Sequence, residues 1–116
     1  AFTANGRIYL TYSGGAANGY TYVLGLLTAE DGADLLDKSA WHKRGTPVLS
    51  FYSVEGEYGP GHNSFTVDEN GRDIMVFHAR QYDEITGDPL YDPNRHAYLA
   101  CVEWEDGEMV FKPMRL

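Results

Sequence analysis

The fold is decided by residues 63–79, which read NSFTVDENGRDIMVFHA. Apolar residues recur on both sides of the central segment Glu69–Arg72, with the spacing of strands that bury one face. Asn70 and Gly71 tolerate the positive φ that a tight turn requires. The stretch therefore predicts a hairpin of two antiparallel strands, Asn63–Asp68 and Asp73–Ala79.

Similar patterns recur along the chain and predict six or seven strands in all. Asp31–Ser39 can form one short helical turn, because Gly32 and Asp34 disfavour a longer helix. Two stretches without periodicity, Ser50–Gly61 and Gln81–Asn94, are long for a compact domain and are interpreted as functional rim loops. The other predicted strands are Arg7–Ser13, Tyr20–Thr28, His96–Trp104 and Met109–Pro113.

The hairpin pattern is repeated within the chain. Asn5–Ser13 matches Asn70–Ala79 at an offset of 65 residues, with one residue inserted, and Val23–Gly32 matches Tyr98–Gly107 at an offset of 75. Such a unit of antiparallel strands is typical of a propeller blade, although two hairpins can also be alike by chance. We predict an all-β fold, a partial β-propeller of about two antiparallel four-stranded blades. The blade-like units are 1–57 and 58–116, and the first is expected to lack its innermost strand.

Composition and charge exclude several classes of partner. The chain has 116 residues and a net charge of −8, from nine basic and 17 acidic residues, which opposes binding to nucleic acid or to an anionic membrane surface. Its longest apolar run, Tyr22–Leu27, is far shorter than the ~20 residues of a membrane-spanning helix. The single cysteine, Cys101, is interpreted as a small buried apolar residue. No leader follows Ala1, so we expect a processed terminus or a cut within a longer protein.

The segment Tyr58–Thr66, YGPGHNSFT, is the strongest candidate for a site. It delivers His62 to the first position of a strand, and the first strand of a blade lines the central channel of a propeller. A tight turn followed by an ordinary core histidine is the alternative. The acidic segment Glu103–Glu108 is interpreted as a solvated turn rather than a cation site. His78 and His96 are expected to pack or hydrogen-bond within strands.

Several motifs together resemble the C-terminal part of family 43 glycoside hydrolases. The resemblance runs from about Gly6 to Lys112 and is nearest to enzymes of the α-L-arabinofuranosidase, exo-arabinanase or β-xylosidase type. It implies a five-bladed propeller that removes arabinofuranosyl or xylosyl residues from plant polysaccharides with inversion. The motifs, in chain order, are GRIYLTYS (6–13), GLLT (25–28), TPVL (46–49), GPGHNSFT (59–66), DENGR (68–72) and VFHAR (76–80).

The same resemblance implies that this chain carries no catalytic residue. Members use an Asp base, a Glu acid and a second Asp that tunes the acid, an arrangement suited to inverting hydrolysis. All three lie upstream of the region that this chain resembles, and none of its 17 acidic residues corresponds to them. We therefore expect the isolated chain to be inactive.

The resemblance implies binding roles, rather than catalytic ones, for four residues of this chain. His62 corresponds to a histidine on the propeller axis that binds a central ion, often calcium, or orders water. Arg95 corresponds to an arginine that reaches the sugar pocket, although an ion pair with Asp88 or Asp92 would also explain it. Tyr58 and Tyr91, on the rim loops, are candidates for stacking on a sugar.

The expected partners follow from these assignments. They are an arabinose- or xylose-containing oligosaccharide or polysaccharide, together with the missing N-terminal blades or further copies of the chain. A secreted or periplasmic location is favoured by the resemblance. The alternative function is a non-catalytic module that binds carbohydrate or assembles with itself.

Overall fold

A computed structural model describes residues 1–15, 20–50, 52–53, 56–83, 87 and 95–114. These residues form eight strands and one 3₁₀ turn, Lys38–Ala40. No helix among them is long and apolar enough to cross a membrane. The strands are β1 (Phe2–Ala4), β2 (Arg7–Gly14), β3 (Val23–Glu30), β4 (His42–Lys43), β5 (Tyr58–Val67), β6 (Asp73–Arg80), β7 (His96–Glu105) and β8 (Glu108–Met114).

The strands form two antiparallel four-stranded sheets, ordered β1-β2-β3-β4 and β5-β6-β7-β8. The all-β prediction is confirmed. In the hairpin that joins β5 to β6, the Asp68 carboxylate accepts hydrogen bonds from the backbone N–H groups of Asn70 and Arg72 and from Arg72 Nε. These bonds, first of all the one from the Arg72 backbone, lower the pKa of Asp68. The turn therefore depends on Asp68 as well as on Gly71, which has φ +78°.

Three predicted features of the strands are wrong. The first sheet does not lack its innermost strand, because Phe2–Ala4 pairs with β2 in the register Phe2↔Tyr9. The predicted rim loop Ser50–Gly61 ends early, since Tyr58–Gly61 already belong to β5. His62 is consequently the fifth residue of its strand rather than the first. Strands of two or three residues, and one that begins with Gly and Pro, show no alternation by which a sequence could reveal them.

The core lies between the two sheets. Leu24 of β3 and Met75 of β6 are both fully buried, one from each sheet, and belong to the same apolar cluster. Near the hairpin of β1 and β2, this cluster ends in aromatic contacts. The ring centroids of Tyr9 and Trp104 are 5.1 Å apart there. Phe2 and Phe65 add a second contact at 5.4 Å. The two sheets thus share one core, as stacked propeller blades do.

Cys101 is free and half-buried in β7. It pairs with Ile74 on one side and Lys112 on the other. The expectation of a buried apolar residue is met only in part.

The shared core predicts where substitutions destabilise the chain. Met75→Ala should lower the free energy of unfolding by about 2–5 kcal/mol, because it leaves a cavity between the sheets. Val67→Ala is the matched control, since Val67 is 58% exposed at the end of β5. This variant should lower the free energy of unfolding by less than about 1 kcal/mol. Urea denaturation of both variants measures the difference. Equal losses would contradict a core located between the sheets.

Candidate functional site

His62 lies at an irregularity of β5. Its φ is +51°, in the left-handed region that residues other than glycine seldom adopt. The pairing of β5 with β6 shifts in register on both sides of Gly61, up to Ser64. Bulges of this kind re-aim a side chain and occur beside functional sites. The His62 side chain is exposed, and its assignment to the propeller axis stays a prediction.

The bulge is held by hydrogen bonds to the other sheet. The His62 backbone N–H donates to Ser13 Oγ at 3.1 Å. The next side chain, Asn63, donates from Nδ2 to Thr11 Oγ1 at 2.9 Å, and the Thr11 hydroxyl donates to Asn63 Oδ1 at 3.2 Å. The Gly59 N–H donates to the Tyr20 carbonyl at 2.9 Å. The position of His62 is therefore fixed by both sheets together.

Tyr22 covers the bulge from the first sheet. A Cβ placed on Gly61 would overlap the Tyr22 ring, so only glycine fits at this point. The same ring meets His78 edge-on, with centroids 6.1 Å apart. The ring centroids of His62 and His78 are 5.9 Å apart. The two imidazoles and the phenol ring thus form one cluster, the histidine cluster of His62, His78 and Tyr22.

The pKa of His78 is lowered from its ordinary value. Burial lowers its pKa, and the positive charges of Arg95, His62 and Arg80 lower it further. Its Nδ1 is buried and has no hydrogen-bond partner among the described residues. A buried polar atom of this kind usually faces a water or a ligand. The expectation that His78 packs or hydrogen-bonds within its strand stays a prediction.

Arg95 lies just before β7 and is half-buried. Its positive charge lowers the pKa of His78, and the pocket role that the resemblance implies for Arg95 stays a prediction. The ion pairs proposed as an alternative involve Asp88 and Asp92, which lie outside the described residues, as does Tyr91. Tyr58 is half-buried in β5 opposite Arg80, not on a rim loop as predicted.

Sequence reasoning missed several residues of this end of the sheets. Tyr22 and Ser13 act on β5 from more than 35 residues away, and no local pattern links them to Gly61 and His62. Glu57 and Arg80 are 6% and 1% exposed, although charged residues at the ends of a strand ordinarily face solvent. Only the glycine and proline of the GPGH motif signalled that the backbone here is unusual.

The described residues contain no group of three or more His, Cys, Asp or Glu side chains that could hold a metal ion. Calcium prefers ~6–8 oxygen ligands, whereas the side chains clustered around His62 are imidazole, phenol and guanidinium. These residues by themselves do not fit calcium. The Glu103–Glu108 segment is the exposed hairpin turn that was predicted, and Glu105 there pairs with Lys112 at 2.6 Å.

The family model described as glycosyl hydrolases family 43 matches residues 1–109. The chain belongs to this family. It is 50% identical over 100 residues to an extracellular exo-alpha-(1->5)-L-arabinofuranosidase of Streptomyces avermitilis, covering 85% of this chain and 21% of that protein. It is 46% identical over 103 residues to alpha-L-arabinofuranosidase 43 of Humicola insolens, covering 88% and 21%. This family 43 chain thus spans about a fifth of the length of these relatives.

Solved structures of the family share the fold. The crystal structure of alpha-L-arabinofuranosidase from Lactobacillus brevis matches with a TM-score of 0.86 and 45% identity, covering 97% of this chain and 35% of that one. A thermostable family 43 glycoside hydrolase matches with a TM-score of 0.73 and 28% identity, covering 97% and 34%. The resemblance read from the sequence motifs and the partial-propeller prediction are both confirmed.

The close approach of the Tyr22 ring to Gly61 predicts the effect of adding one methyl group at Gly61. Gly61→Ala should displace the Tyr22 ring and lower the free energy of unfolding by about 1–3 kcal/mol. Gly45→Ala is the matched control, because nothing lies within 4 Å of a Cβ at that position. Thermal unfolding gives the stabilities, and the ring-proton shifts of His78 report the displacement. Equal behaviour of the two variants would contradict the contact.

The lowered pKa of His78 predicts a pH dependence. Its folded pKa lies below the ordinary value of 6.5, so above that pH its contribution to stability is fully present. As the pH falls through the folded pKa this contribution is lost, because the unfolded chain takes up the proton more readily. NMR titration of the imidazole should give a pKa below 6.5. Arg95→Gln should raise that pKa and Lys38→Gln should leave it unchanged; an unshifted pKa in the parent chain would refute the assignment.

Proposed function

We propose that this chain is the C-terminal, two-blade part of an arabinofuranosidase of family 43. In the proposal it supplies binding residues to a pocket whose carboxylates come from other blades. The observation that supports it is the histidine cluster beside Arg95, at one end of a segment matched by the family model over residues 1–109. The relatives named above act on arabinofuranosides, which favours arabinose over xylose as the sugar removed.

The chemistry proposed for the residues of this chain is binding and orientation. The Arg95 guanidinium offers several N–H donors in a fixed plane, which suits the hydroxyl oxygens of a sugar. His78 can hold an ordered water, because a neutral imidazole both donates and accepts a hydrogen bond. Tyr58 and Tyr91 remain candidates for stacking. Inverting hydrolysis then needs two carboxyl groups ~6.5–9.5 Å apart, which we assign to the missing N-terminal blades.

Two further parts of the proposal concern the ion and the location. If calcium occupies the propeller axis, His62 is the residue of this chain that faces it, and the other ligands must come from water and from the remaining blades. No step of the reaction is assigned to it. A secreted protein is favoured because one relative is named as extracellular.

The activity of the chain alone tests the proposal. On aryl α-L-arabinofuranoside and aryl β-D-xyloside, the isolated chain should give no turnover above the chain-free rate, because it supplies no catalytic carboxylate. A rate that is linear in chain concentration and is abolished by replacing one of its own acidic residues would overturn the proposal.

A complementation experiment tests the same proposal with an expected gain of activity. The chain is mixed with the Lactobacillus brevis arabinofuranosidase lacking its matched segment. We expect arabinoside turnover to appear, with kcat/KM lowered about 10- to 100-fold by Arg95→Gln, which removes a charged hydrogen-bond donor. Lys38→Gln, an exposed change in the 3₁₀ turn, should have no effect.

The second candidate is a non-catalytic module that assembles with itself. It is favoured by the outer face of the first sheet, where Leu10, Tyr12 and Leu27 are only half-buried. Apolar faces of this kind drive association. Light scattering of the same preparations separates the two candidates. A defined oligomer that does not restore activity to the truncated enzyme supports the non-catalytic module. A monomer that restores this activity supports the enzyme part.

A further inference from the structure

We infer that a cleft between the two sheets, at the end of β2 opposite to His62, binds an acidic saccharide through its carboxylate. The saccharide part of this inference rests on the proposed function, whereas the anion part rests on the cleft itself. The cleft is formed by two adjoining cavities of about 230 and 440 Å³ that share Arg7, Tyr9, Gly107 and Glu108. These volumes suit a small ligand.

The cleft is well separated from the histidine cluster. Arg7, at the start of β2, lines it, whereas Ser13, near the end of the same strand, accepts the hydrogen bond from His62. Six residues of extended chain span about 20 Å. A ligand in the cleft and a sugar near Arg95 therefore occupy different ends of the sheets.

One wall of the cleft is cationic. His42 pairs with Thr28 in the register of β3 and β4, and both line the cavity. Arg44 follows two residues later on the same face, and its backbone N–H is anchored to the Leu26 carbonyl at 2.9 Å. Among the residues that the structure describes, no ion pair involves the Arg44 guanidinium. In a chain of net charge −8, it is a cation free to receive a ligand.

The neighbouring cation is directed elsewhere. Lys43 also lines the cleft, but it pairs with Leu27 on the opposite face of the sheet, and its Nζ lies 5.8 Å from the centroid of the Tyr12 ring. Arg7 also lines the cleft, but its Nε is 3.4 Å from Glu30 Oε1 in an exposed pair. Arg44, with His42 beside it, is therefore the group that would receive an anion. Its planar fork matches a carboxylate in two parallel hydrogen bonds.

The other wall is acidic, and this selects the ligand. Asp106 and Glu108, in the turn between β7 and β8, present carboxylates that accept hydrogen bonds from hydroxyl groups. They would repel a phosphate dianion or a polyanion at the same place. Tyr9 forms an almost fully buried aromatic floor between the walls. A sugar acid offers one carboxylate for Arg44, hydroxyls for the acidic wall and an apolar face for the ring.

A titration with defined probes tests the inference. The full chain is titrated with a trisaccharide that carries a single uronic acid, with neutral arabinotriose and with inorganic phosphate, and amide shifts of Thr28 and Met109 report the cleft. We expect the acidic trisaccharide to bind there, more weakly as salt rises, and the other two probes to leave these signals in place. Phosphate binding as tight as that of the acid, or shifts with arabinotriose, would overturn the saccharide assignment.

Variants separate Arg44 from the general charge of the region. Arg44→Gln should lower the affinity for the acidic trisaccharide about tenfold or more, since it removes a charged hydrogen bond. Lys38→Gln removes the same charge from an exposed residue of the 3₁₀ turn that does not line the cleft, and should change affinity less than about threefold. Thermal unfolding shows that both variants fold. Equal losses in the two variants would overturn the role of Arg44.

The two proposals fail separately. Arabinotriose shifts at His62 and His78 without any shift of the cleft signals by the trisaccharide with a single uronic acid would overturn this inference and leave the proposed function intact. Acid binding in the cleft, with arabinoside turnover by the chain alone, would leave the anion site standing and overturn the proposed function.

Discussion

The face-to-face packing of the two sheets is the constraint on which the rest of the structure depends. A sheet must bury one face, and neither sheet has another partner among the described residues. Leu24 and Met75, one from each sheet, fill the centre of their interface. Because this contact sets the distance between β2 and β5, it also sets the hydrogen bonds from Thr11 to Asn63 and from His62 to Ser13. The candidate site is thus a property of two blades together, and a single blade would not contain it.

The unusual backbone of His62 is a consequence of that packing. A left-handed conformation at a non-glycine residue costs of order 1–3 kcal/mol and persists only where its surroundings determine it from several sides. Here the surroundings are the Ser13 hydroxyl, the Asn63–Thr11 pair and the Tyr22 ring above Gly61. Of these groups, Ser13 and Thr11 belong to β2, and Tyr22 directly precedes β3. The strain is therefore stored where the two blades meet, beside the histidine whose side chain the bulge presents.

How far the sequence predicts this structure depends on the range of the interactions involved. The hairpins around Gly71 and Gly107 were predicted correctly, because turn residues and alternation are local signals. The repeat and the family motifs also gave the pairing of strands into blades. β1, β4 and the first residues of β5 were missed, since they are too short or too rich in glycine and proline to alternate. The contact of Tyr22 with Gly61 and the burial of Arg80 arise only in three dimensions, and no pattern in the chain encodes them.

The net charge of −8 bears on ligands in a more limited way than it first suggests. Charges in solution are screened beyond about 8 Å at physiological ionic strength, so the total opposes a long polyanion such as nucleic acid but not a single carboxylate. Such a group responds to the nearest side chains. At one end of β2 these are Arg95, Arg80 and two histidines, and at the other they are Arg44, His42 and Arg7. An acidic protein can therefore contact a sugar acid at a local cation while its overall field still repels larger anions.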